Sequence, residues 1–502
     1  MNAAESLLSV GRDDAFALEC GEEKITYSEL RQAVSRAADA WHTLGLEPEG
    51  RVAIFANDGI DWVIAYLGAI WAGGVAIGVN PRLSLTDFGA ILRDSEIGYV
   101  WTNPELAPAL AQLAGTLDTP PQVVVAGDNP GCIDWSAVQS SAHYAAPVPR
   151  EEESPALWIG TSGTTGTSKG VIHPQRVVIN AQAFAAGILG VTAADRLYAT
   201  SKFFFAYALG NSLFAGLGLG ATVIIDQEWP TPERVLAMVE RHQPTILFSV
   251  PTLYSKIVQS GLAPKLANRG IRHFVSAGET MPVAVSRAGR DSVGSFPISG
   301  YGTSETLCLM LYCADDSGQM QLTPRTEVRY NLEFPTDIPQ RIWVRAPTVA
   351  QGYWRRPDAQ ADSFAEGWFS PGDMFLRKGH GRLEFAGRND DLLKISGQWV
   401  STQWIEHAVI EVCGDALVQL AAVGAPTTEG LTAIAILAVS APGQDVEARQ
   451  RLDRGIALLP KHRRPRWVHW VKELPMTATG KLQRGLLRKI HEEQLPVTSG
   501  LA

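Results

Sequence analysis

The stretch Thr161-Ser162-Gly163-Thr164-Thr165-Gly166-Thr167-Ser168-Lys169-Gly170 sets the tightest limit on what this chain can fold into. It holds three glycines, six hydroxyls and one lysine, and it follows the apolar run Ala156-Leu157-Trp158-Ile159. A buried strand that empties into such a loop suits a polyphosphate. Glycine lets the backbone approach closely and take positive φ, so successive N–H groups can face an anion, while hydroxyls and lysine add donors. The loop is not a Walker A sequence. That pattern needs Gly-x4-Gly-Lys-Ser/Thr, and counting on from Gly163 or Gly166 reaches Ser168 or Val171 where the second glycine belongs. Standing alone, the stretch would read more readily as a flexible Ser/Thr/Gly linker. Its surroundings decide otherwise.

Strands alternate with helices on both sides of it. A helix starts near Tyr27, with Ser28 or Thr26 as N-cap, and Arg51-Val52-Ala53-Ile54-Phe55 reads as a short buried strand. Trp62 to Trp71 is helical, and Val75 to Val79 is a strand ending at Asn80-Pro81. Beyond the loop come a strand over 221–225, a helix over Pro232 to His242, and a strand over 245–250. A strand over 272–276 runs into Ala277-Gly278-Glu279, and Pro297-Ile298-Ser299 runs into Gly300-Tyr301-Gly302-Thr303-Ser304-Glu305. The alternation predicts an α/β fold with doubly wound, mostly parallel sheets. In such sheets ligands collect beyond the carboxyl ends of the strands, so three glycine-containing turns are expected to converge on one crevice. Past residue 320 the pattern changes. Arg341 to Arg345 alternates like an antiparallel strand, which predicts a small β subdomain. After Gly387-Arg388-Asn389-Asp390-Asp391 we expect a hinge and a small, mobile α+β domain, giving domains 1–388 and 390–502.

Composition narrows the class. The chain has 502 residues, 46% apolar and 19% charged, which is ordinary for a globular enzyme with a large core. A formal net charge of −9 argues against a general nucleic-acid binder. The five cysteines, Cys20, Cys132, Cys308, Cys313 and Cys413, include no C-x-x-C pair, which points to reduced thiols in a cytoplasmic setting and away from zinc or disulfides. Met1 to Asp14 has no basic stretch followed by an apolar run, so no signal peptide is expected. The apolar runs Trp62–Val79 and Phe203–Ile225 are long enough to cross a bilayer. Gly73-Gly74 breaks the first and Asn211, Ser212 and four glycines interrupt the second, so both read as soluble core. Lys461 to Lys489 holds nine Lys/Arg against the single acidic Glu473, a patch suited to a phosphorylated ligand.

Six motifs occur in one order: Thr161 to Gly170, Ser276-Ala277-Gly278-Glu279, Tyr301-Gly302-Thr303-Ser304-Glu305, Gly367-Trp368-Phe369-Ser370-Pro371-Gly372-Asp373, Gly387 to Asp391, and Pro475-Met476-Thr477-Ala478-Thr479-Gly480-Lys481. From Ile25 to Arg484 the chain resembles the adenylate-forming superfamily of acyl-CoA synthetases, peptide-synthetase adenylation domains and luciferases. Ser201-Lys202-Phe203-Phe204-Phe205-Ala206-Tyr207-Ala208-Leu209-Gly210-Asn211 is most similar to benzoate-CoA ligases. The resemblance implies attack of a carboxylate on the α-phosphate of ATP, loss of pyrophosphate, and displacement of AMP by the CoA thiol. It implies that the loop with Thr161, Ser162, Gly163, Thr164, Thr165, Gly166 and Lys169 holds the β- and γ-phosphates, that Glu305 holds Mg²⁺, and that Thr303 contacts the α-phosphate. Tyr301 and Gly302 with Ala277, Gly278 and Glu279 would bracket adenine, and Asp373 and Arg388 would take the ribose hydroxyls. Lys481 would bridge carboxylate and α-phosphate. Rotation about Asp390 would then withdraw it and bring the face with Lys394 and Gly397 inward for the thiol. The 3′-phosphate of CoA would meet basic residues among Lys461, Arg463, Arg464 and Arg466.

The acid pocket implied by the resemblance is bounded by Phe204, Ala206, Tyr207, Gly278, Gly300, Leu307 and Cys308, an aromatic wall beside small residues that makes a flat apolar slot for a ring. Benzoate-CoA ligases carry histidine where Cys308 stands, so a ring-substituted benzoate is expected, with 2-aminobenzoate one candidate. Cys308 has no adjacent base and is not expected to act as a nucleophile. The region Asp315–Arg341 reads shorter than in the family, which predicts a trimmed surface hairpin. The alternatives are transfer to an acyl-carrier protein, a medium-chain acyl-CoA synthetase, or a regulator that binds nucleotide without catalysis. No nucleic acid or membrane partner is expected, and the chain would be a monomer or homodimer.

Overall fold

The computed structural model describes residues 1–161, 169–295, 297–388, 392–395, 398–427, 431–476 and 482–494, with the side chains of Leu392, Gln398 and Trp399 left aside. These residues gather into two compact units. The first comprises the described residues of 1–328 together with 343–371, and the second 329–342 with those of 372–494.

The first unit is built on two large sheets. One runs, in spatial order, Gly352–Tyr353, Lys169–Pro174, Pro155–Thr161, Val75–Val79, Arg51–Phe55, Tyr99–Thr102, Gln122–Val125 and Ile133–Asp134. Its strands from Pro155–Thr161 onward pair in parallel, and the two edge strands on the other side are antiparallel. Val75–Val79 is buried at every position, as expected for a parallel strand covered on both faces. Gly78 within it has a further purpose. A Cβ there would lie 3.1 Å from the Cα of Phe204, so glycine eases the close approach of the aromatic segment to the sheet.

The other sheet of this unit places His273–Ser276 between Ile246–Ser249 and Ile298–Tyr301, all parallel. Ser249 stands opposite Ser276 and Ser276 opposite Ser299. The first two strands end at one level, and Ile298–Tyr301 runs two residues further. Helices form where the local chemistry asks for them. Tyr27–Thr43 begins with Thr26 and Glu29 in a capping box, and Pro232–His242 begins with Thr231 as N-cap and Pro at the first position, ending at Gln243 in the left-handed region. The expected α/β architecture with parallel-rich sheets is present.

Residues 206–217 form an unbroken helical stretch whose middle, Leu209–Phe214, is π-helical and fully buried. Among the described residues no helix is long and apolar enough to cross a membrane. The expected strand at 341–345 divides at Ile342: Gln340–Arg341 pairs with Asp373–Arg377, whereas Trp343–Arg345 pairs with Trp368–Phe369.

In the second unit, Asp373–Arg377 and Leu383–Arg388 form a hairpin, and Leu392–Ile395 pairs with Gln398–Ser401. Leu417–Pro426, Thr432–Ser440 and Trp467–Trp470 form a three-stranded sheet. The helix Thr402–Cys413 packs through Ile405 and Val409 onto a core with Leu420, Ile436 and Leu452. Arg484, at the start of the helix Arg484–Gln494, holds the buried Glu406 at 2.7 Å, and Glu406 also accepts the Ala422 N–H. Part of the basic patch is thereby consumed in structure. Arg464 donates to the carbonyls of Ala457 and Leu459, and Arg463 stacks on Trp404.

Candidate active site

Thr161 closes one strand and Lys169 opens the next, and the two stand opposite each other in an antiparallel ladder. The ends of the predicted anion loop are thus pinned side by side. Ser162, Gly163, Thr164, Thr165 and Gly166 lie outside the described residues, as do Asp390, Gly397 and Lys481. The Lys169 ammonium sits 4.9 Å from the centre of the Tyr353 ring, and the Tyr353 hydroxyl donates to Glu305 Oε1 at 2.7 Å. One phenol therefore joins the end of the loop to the predicted metal ligand.

The turn that carries Glu305 is held from several sides. The Ala350 N–H donates to the Glu305 carbonyl at 2.7 Å. His173 Nε2 donates to the Ser304 carbonyl at 2.8 Å, and since a carbonyl can only accept, this fixes the tautomer. Burial pushes the His173 imidazole down to about 3, so the ring is neutral. Thr306 Oγ1 takes the Thr303 N–H at 3.0 Å and donates to the Cys308 carbonyl at 3.0 Å. Thr303 Oγ1 is buried with no partner among the described residues.

Of the predicted acid-slot residues, Ala206, Leu307 and Cys308 belong to the extended apolar core of the first unit, with Tyr207 packed against that core. Phe204 is buried and leans on Phe205 at 4.3 Å between ring centres. The Tyr207 hydroxyl donates to the Val275 carbonyl at 3.1 Å. Gly300 faces Leu309 so closely that a Cβ would lie 2.3 Å from its Cδ1. Cys308 is buried, its Sγ 3.5 Å from the Ala181 carbonyl, and burial pushes its thiol up to about 12. It stays protonated at neutral pH, which argues against a nucleophilic role.

With this geometry in place, the comparisons with known proteins are decisive. The family description "AMP-binding enzyme" matches residues 9–354. The chain belongs to the AMP-binding enzyme family. This AMP-binding enzyme is 37% identical to a 3-hydroxybenzoate–CoA ligase of Aromatoleum sp. (strain CIB), across 98% of its own length and 97% of that protein. Its fold matches a benzoate CoA ligase from Burkholderia xenovorans LB400 with a TM-score of 0.85 and 28% identity, covering 97% of this chain and 100% of that one. It matches the anthranilate CoA ligase AuaEII in complex with anthranoyl-AMP with a TM-score of 0.86 and 25% identity, covering 98% and 97%. The expected kinship with adenylate-forming enzymes of the benzoate-CoA ligase kind is borne out.

The enzyme's residues fit a nucleotide. Gly278 takes φ +91° and a Cβ there would meet nothing within 4 Å, leaving an open backbone face beside Ala277 and Glu279. The orphaned Thr303 Oγ1 suits a phosphate oxygen. Among the described residues no group of three or more His, Cys, Asp and Glu gathers as a metal nest. A single carboxylate, Glu305, suits Mg²⁺, which binds through one or two carboxylates and substrate phosphates. Tyr301 ends its strand next to Gly302. In the second unit Asp373 faces Arg388 across its hairpin, with carboxylate and guanidinium 3.4 Å apart. Lys394 is exposed on Leu392–Ile395.

Nothing in the sequence pointed to Tyr353 or His173 as neighbours of Glu305. The strand Gly352–Tyr353 pairs with Lys169–Pro174, and that pairing carries Tyr353 to Glu305.

Proposed function

We propose that the enzyme is an ATP-dependent, AMP-forming aryl-CoA ligase whose preferred acid is a ring-hydroxylated benzoate. The observation that carries this reading is the full-length similarity, at 37% identity, to a 3-hydroxybenzoate–CoA ligase. The buried, apolar character of Phe204, Ala206, Leu307 and Cys308 supports an aryl acid as the ligand they would line.

In this reading the acid carboxylate attacks the α-phosphate of ATP, pyrophosphate leaves, and the acyl-AMP is then opened by the thiol of CoA. Both substrates of the first step are anions, so preorganised donors and cations dominate its catalysis. Glu305 and the phosphates would hold Mg²⁺, which supplies charge neutralisation at the β- and γ-oxygens when bound. Thr303 Oγ1 serves the α-phosphate, and the loop from Thr161 to Lys169 the outer phosphates. Tyr301 offers its ring to adenine against the backbone of Ala277, Gly278 and Glu279, while Asp373 and Arg388 take the ribose. Lys481 neutralises the carboxylate as it meets phosphorus. Movement about Asp390 between domains 1–388 and 390–502 exchanges Lys481 for the face bearing Lys394 before thiolysis.

An acid panel tests the substrate assignment. AMP release with CoA present should give the highest kcat/KM for a hydroxybenzoate, with benzoate and 2-aminobenzoate as comparators. Preference for octanoate over every aryl acid would overturn the reading, and a strict requirement for an acyl-carrier protein in place of CoA would overturn the acceptor.

A further inference from the structure

We propose that Asn211 is a positioning residue for acid selectivity: its amide fastens the strained turn at Leu307 to the π-helical segment, and so fixes the ring wall relative to Glu305. The proposal deepens the aryl-ligase reading and rests on it.

Leu307 has φ 56° and ψ −48°, a conformation that a branched side chain rarely adopts. The Cys308 N–H donates back to the Thr306 carbonyl at 2.5 Å, which closes a γ-turn of the rarer, positive-φ kind. Such strain persists only when the neighbours over-determine it, and here they do. Asn211 is 1% exposed and both ends of its amide are engaged. Oδ1 accepts the Leu309 N–H at 3.2 Å, and Nδ2 donates to the Tyr207 carbonyl at 3.0 Å. From the other side, Thr323 Oγ1 donates to the Leu309 carbonyl at 3.1 Å.

The partner segment is unusual as well. π-Helical turns are rare and recur at functional sites, and the one at Leu209–Phe214 follows directly after Ala206 and Tyr207 of the slot. Its Gly210 lies against the strained turn with no space to spare. A Cβ would stand 2.8 Å from the Leu307 carbonyl oxygen and 2.9 Å from Cys308 Sγ. The amide therefore ties the two sides of the slot, the segment bearing Tyr207 and the turn bearing Leu307 and Cys308. Two residues before Leu307 on that turn stands Glu305. Without the amide the Leu309 N–H loses its acceptor, and Leu307 can relax toward ordinary backbone angles. Relaxation would rotate the Cys308 thiol and change the offset between ring wall and metal carboxylate. Asn211 acts on the acid through these residues.

The test compares wild type with Asn211→Leu, of similar volume but without the amide, and with Asn211→Asp. AMP release is followed against benzoate, the three monohydroxybenzoates and octanoate, and ATP KM is taken from pyrophosphate exchange. Loss of a buried hydrogen-bonding clamp predicts that Asn211→Leu raises KM for the preferred ring acid about tenfold and narrows the kcat/KM ratio among ring isomers, with ATP KM within about twofold. A protonated carboxyl can donate and accept as the amide does, and burial favours that form. The acid KM of Asn211→Asp should therefore recover toward wild type between about pH 8 and about pH 6, with no such trend in Asn211→Leu. An unchanged isomer ranking in both variants, or acid and ATP KM rising in parallel without rescue at low pH, overturns the proposal. A wild type that activates octanoate and no ring acid overturns the substrate reading instead, and the clamp is then judged by the same KM split on octanoate.

Discussion

Glu305 and Tyr353 show how far a single hydrogen bond reaches in this enzyme. The phenol has one O–H to donate and gives it to Glu305 Oε1, which suits it to aim the carboxylate. Glu305→Gln should lower kcat for AMP release on the order of 100-fold, the scale seen when one preorganised transition-state contact is lost. Tyr353→Phe should leave kcat nearer wild type and raise KM for Mg·ATP about tenfold, matching the loss of a hydrogen bond to a charged group. A magnesium titration of initial rates separates the two. His173 carries a pH signature of its own. Its folded pKa lies far below the ordinary value, so as pH falls the unfolded chain takes up the proton first. Its contribution to stability is present above about pH 6.5 and is lost progressively toward about pH 3. Melting temperatures of His173→Gln should fall less steeply over that window than those of wild type.

At the scale of elements, what the sequence made legible were those whose instructions are local. The helix Pro232–His242 was readable to the residue, and in the structure Thr231 caps its start with Pro232 at the first position and Gln243 ends it in the left-handed region. The strand–turn junctions at Ala277-Gly278-Glu279 and Gly300–Glu305 were readable because glycine and polar residues interrupt buried apolar runs. The π-helical turn at Leu209–Phe214 was not. It differs from an α-turn in which carbonyl each N–H reaches, and apolar periodicity carries no trace of that choice. Tyr353 was equally hidden, since it meets Glu305 from 48 positions away along the chain through a strand pairing. The division of 340–345 between two partners escaped for the same reason: alternation predicts a strand and says nothing about whom it joins. The close approach at Gly210 yields a prediction at this scale. Gly210→Ala forces a methyl onto the backbone oxygen of Leu307, which cannot swing aside as a side chain could. It should cost about 1–3 kcal/mol in denaturant unfolding and raise acid KM more than ATP KM.

For the molecule as a whole, the division into two compact units matters most. Phosphate, metal and ring contacts proposed for the first step draw on the first unit, whereas the proposed ribose pair Asp373–Arg388 belongs to the second. If residues 390–502 trade Lys481 for the face of Lys394 between steps, as proposed, the two half-reactions should be separable by mutation. Lys481→Ala should remove acyl-AMP formation and spare thioester formation from synthetic acyl-AMP, read by mass spectrometry of the acyl-CoA product. Equal loss of both would mean that the lysine serves thiolysis too.

The residues proposed as ring wall and metal ligand are neighbours on one bent ribbon of backbone, with Glu305 two places before Leu307. That arrangement biases how such a protein can be retooled. A larger acid admitted by trimming Leu307 or Cys308 would disturb the turn that also carries Glu305, the carboxylate proposed to hold Mg²⁺, so gains in scope there would come with slower turnover.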